Sequence, residues 1–237
     1  MKHFLPIILG LMLILSANAQ NIKKKGVPNL PEFDEKPLHF GFLLGLNVMD
    51  FALHNSGAIT SENGNVPLYG DLINYQPGIN IGIVSNLRLN KWFDLRFLPG
   101  ISFGQRNIVF INENGVAEEN PLEIKSTFIE FPLLIKYSSA RAHNFKPYLV
   151  GGVNGRLDLA KSRKDRLVLR SLDAALEAGV GIDMYLNYFR FSTEIKASYG
   201  LFNVLNPNGT GEVEDVKYTQ ALDKLTSNIF HLTFYFE

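Results

Sequence analysis

The feature that most limits what this chain can become is an alternation of apolar and polar residues through residues 126–159. Thr127, Ile129, Phe131, Leu133, Ile135 and Tyr137 share one phase, and Phe128, Glu130, Pro132, Leu134, Lys136 and Ser138 share the other. A period of two is the mark of a strand with two unlike faces. After a short polar break at residues 139–144 the pattern resumes, setting Pro147, Leu149, Gly151, Val153, Gly155 and Leu157 against Tyr148, Val150, Gly152, Asn154, Arg156 and Asp158. The result is a hairpin with arms of roughly ten to twelve residues, the length a tilted strand needs to cross a bilayer.

The same pattern recurs at residues 38–49, 75–88, 93–104, 172–186, 189–201 and 228–237, which makes eight strands in all. Connections alternate between long (50–74, 105–125, 159–171, 202–227) and short (89–92, 139–146, 187–188). Outer-membrane barrels show this asymmetry, with tight turns in the periplasm and long loops outside. A soluble barrel has the same period with its faces exchanged, so interior volume has to decide. Eight strands enclose only enough space for their own side chains. The Leu, Ile, Val and Phe residues in phase are too many and too large for that space, whereas the glycine-rich, charge-bearing phase fits it. The expected fold is therefore all-β, an eight-stranded antiparallel up-and-down transmembrane β-barrel over residues 38–237.

That phase sends Arg96, Glu130, Lys136, Arg156, Asp158, Asp173, Glu177, Asp183, Arg190, Glu194 and Lys196 into the lumen. Charges removed from water have to pair with one another, so these eleven are read as a packing network without an aqueous channel. Trp92, Phe93, Tyr137, Tyr185, Tyr188, Phe189 and Phe236 gather near the short turns, and Phe51, Tyr75, Phe103, Tyr199 and Phe202 near the long loops. Two girdles at the membrane interfaces are expected from them.

Ahead of the barrel, Lys2, the apolar run of residues 4–15 and Ala17-Asn18-Ala19 form a signal-peptide pattern over residues 1–19. Residues 20–37, with Pro28, Pro31, Pro37 and Lys23-Lys24-Lys25, read as a flexible periplasmic tail. Net charge is zero, which predicts no nucleic-acid partner, and the absence of cysteine excludes disulfides and thiolate chemistry. His39 and His231 fall on inward phases of strands that adjoin in a closed barrel, a metal or acid–base pair weighed against lumen packing. His54 with Ser56 is a weak nucleophile–base candidate in a long loop. Lys161, Arg163, Lys164 and Arg166 form a basic run suited either to lipopolysaccharide phosphates or to plain solvation. Pro207-Asn208-Gly209-Thr210-Gly211 is turn chemistry. No catalytic residue, metal, cofactor or small-molecule substrate is expected.

The strings EFPLLIKY (130–137), NFKPYLVGGVNGRLDLA (144–160), LEAGVGIDMYL (176–186) and YGLFN (199–203) follow LPEFDEKPLHFGFLLGLNVMDF (30–51). Taken as a set, they resemble the PorT family, outer-membrane barrel proteins of the type IX secretion machinery of Bacteroidetes. The similarity runs through nearly all of the chain after residue 19. It implies a place in the cell outer membrane, other type IX secretion components as partners, and a part in assembling or running the export machinery without being its pore. A generic small barrel acting as adhesin or envelope stabiliser is the competing expectation, and a barrel enzyme acting at the long-loop rim is a third.

Overall fold

The computed structural model describes residues 29–57, 68–72, 76–112, 117–159, 169–205 and 222–237. Its strands are β1 (Leu38–Asn55), β2 (Leu68–Leu72), β3 (Pro77–Arg88), β4 (Phe93–Phe97), β5 (Gly100–Asn112), β6 (Ala117–Ser138), β7 (Phe145–Asp158), β8 (Leu172–Tyr185), β9 (Arg190–Gly200) and β10 (Leu222–Phe236). β4 and β5 make one wall position, because Pro99 has no N–H and interrupts the pairing without changing the phase. Around the wall the order is β1, β3, β4/β5, β6, β7, β8, β9, β10. β10 then pairs again with β1, from Phe42 opposite Phe236 to Asn55 opposite Leu222. All neighbours are antiparallel, and closure satisfies the backbone of every wall strand without leaving an edge at membrane depth.

Side chains sort by phase. Phe40 and Ile83 are 64 % and 61 % exposed, whereas Arg96 and Asp183 are 0 % exposed. A water-soluble protein does not present such a belt, and a hydrocarbon-facing one must. The short turns are well specified: the Asn90 side-chain oxygen accepts the N–H groups of Trp92 and Phe93 at 2.8 and 2.9 Å, fixing the β3–β4 connection.

Three expectations change. The stretch expected as a loop at residues 105–125 is largely strand, since β5 and β6 continue pairing outward to Ile111 opposite Ala117. β1 and β10 also run on past the belt, and β2, inside the first long connection, pairs with β5. These extensions form a canopy over the long-loop end, in which Phe51, Ile108, Phe110, Val204, Leu205, Leu222 and Leu225 make an apolar cluster facing inward. Phe51 therefore belongs to this core and Tyr185, 1 % exposed, to the lumen, because each lies on an inward phase; neither is in a girdle. Finally, residues 29–37 are not a free tail. They pack across the short-turn mouth, with a 3-10 turn at Phe33–Glu35. Residues 1–28, including the expected signal segment, lie outside the described residues.

Candidate functional site

The lumen is the place where this sequence spends its polar side chains. All eleven expected lumen charges are buried, none of them more than 7 % exposed. They fall into three layers along the barrel axis. Nearest the short turns, Lys136 Nζ donates to both Asp183 oxygens at 2.8 and 2.6 Å, and Ser192 Oγ donates to Asp183 at 2.7 Å. Arg190 bonds Glu237 through a short contact, and Arg96 reaches Glu237 at 2.7 Å and Glu194 at 3.3 Å. Tyr235 OH donates to Glu194 at 2.7 Å. Three cations and three carboxylates thus alternate. Arg96, on β4, braces across the lumen to β9.

The Tyr148 ring fills the space beneath, with Lys136 Nζ 3.8 Å from its centroid. Directly opposite on β8 is Gly181, where a Cβ would stand 2.3 Å from that ring, so only glycine leaves room for the tyrosine. In the second layer Lys196 pairs with Glu177 at 2.5 Å, Asn154 donates to Glu177 at 2.8 Å, and Ser102 donates to Glu130 at 2.8 Å. In the third, Arg156 pairs with Asp173 at 2.8 Å, its direct partner in the β7–β8 register, while Asp158 accepts the Thr127 N–H at 3.3 Å. Arg106 completes this layer, donating to Ser227 and Ser126 hydroxyls at 2.8 and 2.7 Å with its guanidinium 3.8 Å from the Phe51 ring.

Arg106 and Glu237 were not singled out from sequence, yet both had a signal. Arg106 continues the inward phase of Ser102 and Gly104, and Glu237 continues that of His231 and Tyr235. The histidine pair does not form: His231 stands opposite Asn47, whereas His39 sits at the mouth against Phe33. Among the described residues no group of three or more His, Cys, Asp or Glu side chains is placed to hold a metal ion. His54 is exposed at the end of β1, opposite Lys224, and Ser56 lies beyond the strand. Lys161, Arg163, Lys164, Arg166, Tyr75 and residues 207–211 lie outside the described residues.

Side chains pack at both ends. The canopy cluster lies at the long-loop end. At the other, Asp34 meets Lys146 at 3.2 Å and Arg141 at 3.7 Å and accepts the Tyr185 hydroxyl at 2.6 Å. Burial works to raise the Asp34 carboxyl, but the Tyr185 hydrogen bond and the Lys146 charge outweigh it and hold it below the usual carboxylate range.

A ring of eight strands with an apolar belt and a charged, filled interior has relatives. Residues 18–206 match the outer membrane protein beta-barrel domain family. The chain belongs to that family. Its place is the outer membrane, and the apolar belt is its lipid-facing surface. No curated protein matches the chain. Among solved structures, the outer membrane protein OprG from Pseudomonas aeruginosa aligns at 13 % identity and TM-score 0.42, covering 83 % of this chain and 91 % of that one. Ail, the attachment invasion locus protein of Yersinia pestis, solved with the heparin analogue sucrose octasulfate, aligns at 12 % identity and TM-score 0.36, covering 83 % and 96 %.

Proposed function

We propose that this protein is a non-enzymatic, PorT-like barrel of the type IX secretion machinery, required to assemble or run the export apparatus without being its conduit. The observation that carries this reading is where the PorT-like strings fall. They supply Phe33, Asp34, Glu130, Lys136, Tyr148, Asn154, Arg156, Asp158, Glu177, Asp183 and Tyr185, residues that fill the lumen or cover its mouth. A barrel whose recognisable residues are spent on sealing it is suited to act through its two ends on other secretion components. The basic run Lys161, Arg163, Lys164 and Arg166 is proposed to touch lipopolysaccharide phosphates at the outer rim.

The test is to delete the gene, complement it, and fractionate both strains. Type IX cargo held in the periplasm of the deletion strain and released on complementation supports the proposal. Normal delivery to the cell surface overturns it. In that case altered surface binding or detergent sensitivity would favour the adhesin or envelope-stabiliser reading, to which the canopy gives a folded external platform. Replacing His54 and Ser56 with alanine is expected to leave secretion unchanged.

A further inference from the structure

Residues 29–37 leave β1 at Leu38 and cross the mouth to the far side of the ring, where β7 stands opposite β1 in the wall order. There the backbone is gripped as a bound peptide would be. Asn29 donates its N–H to Asn144 Oδ1 at 2.9 Å and its side-chain amide to the Tyr185 carbonyl at 3.0 Å. Arg141 donates to the carbonyls of Asn29 and Leu30. The Phe33 ring lies in a slot, stacked on His39 at 4.1 Å, with the Arg190 guanidinium 4.7 Å from its centroid and Tyr185 against its edge. Asp34 fills a second pocket made by Lys146, Arg141 and the Tyr185 hydroxyl. Among the described residues it is the only carboxylate within ion-pair distance of Arg141 and Lys146.

The rim is thus organised around an aromatic side chain followed by a carboxylate. The segment that supplies them is held by polar contacts and the ring contacts of Phe33, and no residue of its 3-10 turn is buried. Partly exposed ion pairs and hydrogen bonds with little apolar burial mark the low end of local stability, so releasing such a segment costs little. The Arg190, Asp183 and Glu237 charges beneath it pair among themselves and do not need it. We propose that the rim formed by His39, Arg141, Asn144, Lys146, Tyr185 and Arg190 is a peptide-recognition site for an aromatic–aspartate segment of a partner protein, filled in cis by the chain's own residues 29–37. The proposal is independent of the secretion role.

The test uses the full chain in lipid nanodiscs and a fluorescent peptide with the sequence of residues 29–37. In the variant Phe33→Ala, Asp34→Ala the cis segment loses both anchors while the rim is intact. The peptide is expected to bind this variant at least ten-fold more tightly than the wild-type chain, and a peptide with Asp34→Asn to lose several-fold. No binding to the variant, equal binding to both chains, or indifference to the Asn change would each overturn the proposal. A second measurement leaves both anchors in place. The chain has no cysteine, so a fluorophore on Glu32→Cys reports the segment alone. Excess peptide is expected to raise the label's mobility, and no change at saturating peptide contradicts exchange.

Discussion

Along β1, β5, β6 and β10 the same strands build two regions with opposite insides. In the belt, apolar side chains face out and charges face in; in the canopy above it, the rule reverses. On β6 the outward row runs Tyr137, Ile135, Leu133, Phe131, Ile129, Thr127 and then turns to Lys125 and Glu123, while the inward row runs from Lys136 and Glu130 to Ile124 and Leu122. On β5 the outward change falls between Phe103 and Gln105, on β1 between Val48 and Asp50, and on β10 between Phe230 and Asn228. Register ties these together, since Gln105 stands opposite Lys125 and Asp50 opposite Asn228. Backbone and period continue through this level; only the solvent outside changes, from hydrocarbon to water. The hydrophobic effect sends apolar residues outward in the first case and inward in the second.

Substitutions separate the two regions. The largest effect is expected from Arg96→Ala, which strips Glu194 and Glu237 of a buried partner and should cost about 3–5 kcal/mol in urea unfolding from lipid. A loss near zero would mean that the belt interior is not a closed charge network. In the canopy, Leu225→Ala removes a fully buried side chain and should cost about 2–5 kcal/mol, as in a soluble core. An outward pair then tests the boundary itself. Ile81→Arg, in the belt, should cost about 2–4 kcal/mol, whereas Gln105→Arg, just above it, should stay within about 0.5 kcal/mol. Equal costs would erase the boundary.

A small effect is also expected at the mouth. Asp34 is partly exposed and water screens its ion pairs, so Asp34→Asn should change global stability by no more than about 1 kcal/mol. Its pH dependence has a defined sign. Because the folded carboxyl titrates below the ordinary carboxylate range, its contribution is fully present above that range and disappears as pH falls through the lowered value. A label on Glu32→Cys should therefore stay immobile from neutral pH into mild acid and loosen only in strong acid.

The eight wall strands were legible because an unbroken period of two carries its own phase, and both hairpin arms of residues 126–159 are strand in the structure. The canopy was not, because following the apolar face means losing it where that face turns inward: Gln105 and Lys125 look like the start of a loop, yet Ile108 and Leu122 keep the alternation in the opposite sense. Composition also misled at residues 29–37. Prolines and charges there read as a tail, whereas Phe33 and Asp34 find partners more than a hundred residues away, on β8 and at the start of β7. For the same reason individual lumen pairs such as Arg96 with Glu237 cannot be read from local pattern.

The charge layers fill the lumen of the barrel. Conductance of the purified chain in a planar lipid bilayer tests this most directly. No sustained channel is expected at moderate voltage, with or without Asp34→Asn, because the charge layers seal the lumen without help from the mouth. Stable, ohmic openings of the wild-type chain would contradict it.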